Sequence, residues 1–160
     1  MKYKPHDYQK FTTDFILSHP IAAVILQMGL GKTVCTLTAI EELIYNRFEI
    51  GKALIVAPLR VSKVTWSDEI QKWDHLSHLT YSIAVGSEKE RVQALKQDVD
   101  IHIINRENLQ WLIEKSKMPF EYDMRSAVLP AASFETPIIR PGIERLNSSF
   151  AAKNAACGPP

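Results

Sequence analysis

Apolar residues along this chain fall into two alternating patterns. Continuous apolar runs at 21–26 (Ile21, Ala22, Ala23, Val24, Ile25, Leu26) and 53–57 read as strands buried on both faces, and further strands are expected at 80–85 and 100–104. Between them apolar positions recur at helical spacing. Tyr8, Phe11 and Phe15 predict an amphipathic helix over 6–18, closed by Pro20, and Val34, Leu37, Ile40 and Ile44, with Glu41 and Glu42 off that face, predict a second over 32–46. Trp66, Ile70 and Trp73 mark a third. Ser87 with Glu90 is a capping-box signature that opens a fourth through Val92 and Leu95, and Leu109, Leu112 and Ile113 follow the last strand at helical spacing. Strands alternating with helices imply parallel pairing through right-handed crossovers, hence an α/β three-layer sandwich with a mainly parallel sheet.

The pattern stops near Asp123. Residues 125–160 hold five of the nine prolines and no long periodic segment, and 126–129 is at best a feeble strand. The expected organisation is therefore a partial lobe over 1–124, its sheet incomplete, followed by a divergent, loosely ordered tail over 125–160. An interruption of the reading frame after about Met124 would account for loss of periodicity in mid-fold.

Composition narrows the class without choosing a partner. A length of 160 residues with 46% hydrophobic content suits one folded unit. Nineteen basic against eighteen acidic side chains leave a formal charge of +1, so any nucleic-acid surface must come from local arrangement. Cys35 and Cys157 lie far apart without CxxC spacing, which argues against a zinc site or disulfide framework and suits a reducing compartment. The longest apolar run is too short to span a bilayer and the N-terminus lacks a signal-peptide core, so a soluble cytoplasmic protein with no membrane partner is expected.

Candidate chemistry sits where the first strand meets the second helix. In Met28-Gly29-Leu30-Gly31-Lys32-Thr33 the glycines allow successive backbone N–H groups to point inward at phosphate oxygens. Lys32 places an ammonium for the β- and γ-phosphates of ATP, Thr33 offers a hydroxyl to Mg²⁺, and the positive end of the following helix adds to the attraction. Against the pattern G-x-x-x-x-G-K-[ST] the first glycine is missing, because Leu26 takes its place. The bare string could also be a turn before an ordinary helix; the flanking buried strand and amphipathic helix are the context that favours phosphate binding.

With these residues in order, the chain resembles the Swi/Snf-type DNA-dependent ATPases of helicase superfamily two, particularly the compact versions of phages and bacteria. Tyr8-Gln9 is similar to the family's adenine-reading segment, and residues 28–33 match its phosphate loop, which also lacks the first glycine. Residues 54–61 followed by Trp66, Glu69 and Trp73 resemble the next motif, whose strand end contacts the DNA backbone, and 104–109 resembles a later one. The resemblance covers about 1–124. It implies a RecA-like P-loop lobe, ATP and Mg²⁺ as cofactors, double-stranded DNA as partner, a bacterial or phage-infected cell as location, and a partner polypeptide as the candidate source of the second motor lobe.

The departure from that family is equally specific. The segment after Phe120 should lead into a strand ending in Asp-Glu, the pair that holds Mg²⁺ and positions the attacking water, yet Arg125-Ser126-Ala127-Val128-Leu129-Pro130 stands there. The Asp68-Glu69 dipeptide lies mid-helix and reads as a solvated face. The arginines of a second lobe are missing too, so phosphoryl transfer loses most of its electrostatic assistance. Whether the chain is an enzyme is thus left open: a DNA-stimulated ATPase lobe, a nucleotide-binding module without turnover, or an inactive truncated product. A small-molecule P-loop kinase would need a lid, and no arginine-rich lid segment is evident. Gln9 is an adenine reader or a polar position on a surface helix; Arg60 contacts a DNA phosphate or caps its strand. His75 and His78 lack a third ligand and read as a surface turn, Trp66, Trp73 and Trp111 as core, and Arg106 with Glu107 as a solvated helix start.

Overall fold

The computed structural model describes residues 1–19, 21–116, 122, 124–131 and 134–141, the last two segments through their backbone pairing. The helices are α1 (Asp7–Ser18), α2 (Lys32–Glu41, continued by a π-helical turn Glu42–Asn46), α3 (Trp66–Lys72, preceded by a π-helical turn Val61–Thr65), α4 (Glu88–Leu95) and α5 (Leu109–Glu114). The strands are β1 (Ala22–Ala23), β2 (Ala53–Ala57), β3 (Tyr81–Ala84), β4 (Ile101–Asn105), β5 (Met124–Ala131) and β6 (Phe134–Pro141). They form one sheet in the order β1-β6-β5-β2-β4-β3.

Residues 53–57 form a strand because every side chain finds a hydrophobic partner on one face or the other. Ala53, Ile55 and Ala57 join Ile16 of α1, Leu37 and Ile40 of α2 and Trp66 and Ile70 of α3, all buried. Leu54 and Val56 turn the opposite way and meet Ala84, Ile104, Leu95 of α4 and Leu112 of α5. Helices thus cover both faces of the sheet, the three-layer arrangement the alternation predicts. Burial of each Ile or Leu stabilises this by about 1.5–3 kcal/mol. β2 pairs in parallel with β4 and with β5, and β3 with β4, while β6 runs antiparallel between β5 and β1. Two reversals through β6 leave β1 pointing the same way as β2, β3, β4 and β5, so the loops after these strands gather at one edge of the sheet.

Two expectations are corrected. Residues 21–26 are not buried on both faces: Ala22 and Val24 are buried but Ile21 and Ile25 are 60% and 65% exposed. β1 is an edge strand with β6 on one side only, so burial alternates with the pleat. In α1 the inward row is Gln9, Thr12 and Ile16, and Phe11 stands 70% exposed. The polar row can face inward because its groups are satisfied: the Thr12 hydroxyl donates to the Tyr8 carbonyl at 2.7 Å, and Gln9 is bonded at both ends of its amide. Beyond the lobe expected over 1–124, the segments 124–131 and 134–141 pair as β5 and β6. The free edge of β2 offers unpaired N–H and C=O groups, and a ladder there satisfies them without any periodic apolar pattern in the added strand. Residues 142–160 lie outside the described residues. No helix among the described residues is long and apolar enough to cross a membrane.

Candidate nucleotide site

The loop between β1 and α2 owes its path to two glycines. Gly29 and Gly31 have φ of 82° and 79°, in the left-handed region that costs other L-residues about 1–2 kcal/mol. Gly31 is the N-cap of α2, its carbonyl accepting from the Cys35 N–H at 3.0 Å, and no side chain caps the helix. The N–H groups of the first turn therefore have no capping side chain among the described residues. Space is open above Gly29, where an added Cβ would find nothing within 4 Å. Gly31 is the opposite case, since a Cβ there would lie 2.6 Å from the Gln9 side-chain nitrogen.

Lys32 closes the loop on itself. Its ammonium donates to the carbonyls of Leu26 at 2.7 Å and Gln27 at 3.1 Å. Both acceptors are neutral, and no ion pair to Lys32 occurs among the described residues, so its charge is held in place without being cancelled. Leu26, anomalous against the strict glycine pattern, contributes the nearer carbonyl. A cavity of about 370 Å³ opens beside this amine, bordered by Gln9, Gly29, Gly31, Lys32, Thr33 and, across from them, α3. Thr33 is half-buried on that wall, and Met28 stands 80% exposed at the rim. The donor-rich helix end, the uncancelled ammonium, the hydroxyl and the open side at Gly29 fit a polyphosphate with its metal.

Gln9 does not occupy a surface position. It is buried, its carbonyl oxygen accepts from the His6 backbone N–H at 3.0 Å, and its NH₂ donates to the Leu30 carbonyl at 3.3 Å. The first helix is thereby latched to the phosphate loop. The far wall was not legible in the sequence. Tyr3 stands edge-on to Trp73 with centroids 5.2 Å apart and stacks on His75 at 4.8 Å, and Lys4 and Lys72 line the same space. Burial pushes both the Tyr3 hydroxyl and the Cys35 thiol up from their ordinary values.

The Asp68-Glu69 pair splits. Asp68 is exposed as expected, but Glu69 is half-buried on the cavity wall, accepting from Trp73 Nε1 at 2.6 Å and Lys72 Nζ at 3.1 Å. The helical signal for this was present: Glu69 and Trp73 are four residues apart, the spacing at which helix side chains meet. What could not be read is that α3 turns this pair toward α2. Arg60 is exposed and does not line the cavity; it sits past the end of β2 on the edge where the phosphate loop also lies. Below it the Ser62 hydroxyl is buried and bonded to the carbonyls of Ala57 at 3.0 Å and Ile104 at 3.3 Å, tying the ends of β2 and β4 together. His75 and His78 turn to different residues of α2, His75 Nε2 to the Thr38 hydroxyl at 3.0 Å and His78 Nε2 to Glu41 at 3.6 Å. Trp66 is core, and Trp111 is half-buried with the Arg91 guanidinium 4.2 Å above its ring.

Comparison with known proteins points the same way. The SNF2-related domain family matches residues 9–129. Protein p41 of Acyrthosiphon pisum secondary endosymbiont phage 1 is 38% identical over 113 residues, which cover 70% of this chain and 25% of p41. The Sulfolobus solfataricus SWI2/SNF2 ATPase core, solved in complex with dsDNA, is similar with a TM-score of 0.54 and 25% identity, over 66% of this chain and 22% of that one. This chain spans about a quarter of the length of either relative.

Proposed function

This chain belongs to the SNF2-related domain family and carries an ATPase-like motor lobe, and from that premise we propose that it binds MgATP at loop 28–33 as the N-terminal lobe of a DNA-dependent translocase. One observation carries the proposal: the Lys32 ammonium rests on two neutral carbonyls beside an open cavity at an uncapped helix end. An incoming β- or γ-phosphate exchanges those carbonyls for charged acceptors, which form roughly twice as strong a hydrogen bond. Gly29 and Gly31 supply backbone donors, Thr33 takes a place on Mg²⁺, and Gln9 is positioned at the cavity edge to read the adenine through its amide.

Duplex DNA is the partner this reading assigns to the sheet edge that holds Arg60. Support comes from the solved relative, an ATPase core in complex with dsDNA, and from the shared sheet edge, on which loop 28–33 and the loop that holds Arg60 both lie. Turnover is a separate matter. Residues 70–160 contain no Asp-Glu pair, so this reading assigns nucleotide binding to the described loop and assigns no residue here to holding Mg²⁺ against an attacking water.

Fluorescent-nucleotide titration set beside phosphate release, with and without duplex DNA, tests this reading. Binding that disappears in Lys32→Ala, without phosphate release, is the expected result. Unchanged nucleotide affinity in Lys32→Ala would remove the site, and robust DNA-stimulated release by this chain would refute the need for a supplied acid.

A further inference from the structure

Three lysines, Lys4, Lys32 and Lys72, line the cavity beside the phosphate loop, and among the described residues Glu69 is its one carboxylate. An acid facing a triphosphate is repelled by it, whereas an uncharged part of the ligand that donates hydrogen bonds is a favourable neighbour for a carboxylate on this wall. In a nucleoside triphosphate the hydroxyl donors are those of the ribose. Carboxylates suit that diol, because an ionised carboxylate only accepts and each oxygen has two lone-pair positions.

The local geometry prepares Glu69 for this contact. Its oxygens are held separately, one by Trp73 Nε1 at 2.6 Å and the other by Lys72 Nζ at 3.1 Å, and each keeps a second acceptor position. A side chain already ordered by two bonds loses little further freedom when a ligand arrives. Helix α3 also places it across the cavity from α2, whose first turn carries Lys32 and Thr33, so the ligand's two chemistries meet opposite walls. Gln9, at the remaining edge, is left for the base.

We propose that Glu69 reads the ribose hydroxyls of the bound nucleotide, with Trp73 as the positioning residue that aims its carboxylate. This rests on the nucleotide reading above but fails separately from it, because inorganic tripolyphosphate tests the phosphate loop without a sugar.

The experiment measures affinities of the intact chain for tripolyphosphate, ATP and 2′,3′-dideoxy-ATP, each with Mg²⁺. Wild type is expected to bind ATP about tenfold more tightly than the dideoxy nucleotide, the discrimination given by hydrogen bonding to a charged group. In Glu69→Ala that ratio falls to about one with tripolyphosphate affinity unchanged, and Glu69→Gln, which keeps one acceptor oxygen and the Trp73 bond, lies between. Trp73→Phe, which keeps Glu69 but removes the bond that aims it, also lowers the ratio. Tripolyphosphate binding with an equal ratio in wild type and Glu69→Ala overturns the ribose assignment alone. The same follows if Glu69→Ala weakens tripolyphosphate as much as ATP, since the carboxylate would then act on the metal or the loop. Failure of wild type to bind tripolyphosphate or ATP overturns both readings.

Discussion

Gly29 and Gly31 share nearly the same backbone angles but should respond very differently to one added methyl group. At Gly29, φ of 82° makes alanine strained by about 1–2 kcal/mol, with nothing within 4 Å to clash. Gly31 has the same backbone term at φ 79°, and its new Cβ would come 2.6 Å from Gln9 Nε2. Gln9 is buried and cannot swing freely, so it must give up its bond to the Leu30 carbonyl or to the His6 N–H, each worth about 1 kcal/mol with more if a polar atom is left unsatisfied. The total for Gly31→Ala is then about 2–4 kcal/mol, roughly double the cost of Gly29→Ala. Urea denaturation followed by tryptophan fluorescence measures both, and the decisive variant is Gly31→Ala in a Gln9→Ala background. There the nearer clash is gone and the 3.1 Å approach to the Val34 Cγ1 methyl remains, so the cost of Gly31→Ala should fall most of the way toward that of Gly29→Ala. If the two glycine variants lose equal stability, or if Gln9→Ala fails to relieve Gly31→Ala, the latch between α1 and the phosphate loop is wrong.

Three further outcomes follow from the same geometry. Ile55→Ala, at a fully buried position of the central strand, should cost about 2–5 kcal/mol, whereas Phe11→Ala on the outward row of α1 should stay within about 0.5 kcal/mol; paired denaturation curves check the helix orientation. Burial lowers the affinity of His75 and of His102 for a proton in the folded chain. The unfolded chain binds that proton more readily, so their contribution to stability is complete above the unfolded histidine value near 6.5 and is lost as pH falls below it. Denaturation midpoints between pH 7.5 and 5 should fall in wild type (a window chosen around about 6.5) and fall less in His75→Gln with His102→Gln; a steeper fall in the variant would refute this. Arg60→Ala should leave nucleotide affinity intact while weakening duplex DNA binding uniformly across sequences and reducing the salt slope by about one, measured by fluorescence anisotropy over a salt series.

Local rules determined much of this protein. The five buried residues of β2, the Ser87–Glu90 capping box with Glu90 accepting from the Ser87 N–H at 2.6 Å, and the glycine turn before α2 were all legible, because backbone angles, pleat period and capping depend on neighbours a few residues away. Family motifs likewise lie in short stretches. What the sequence could not state was which surfaces meet. Tyr8, Phe11 and Phe15 are as helical in spacing as Gln9, Thr12 and Ile16, and only packing against the phosphate loop and α2 made the polar row the inner one. The apolar run at 21–26 promised two-sided burial that its place at the sheet edge denied. Glu69 was an acid on a helix until α3 docked beside α2 and turned it into the wall of a cavity. Each of these depends on contacts between segments distant along the chain, whose free energy is set by complementary shape and by polar groups finding partners, and no periodic pattern records that.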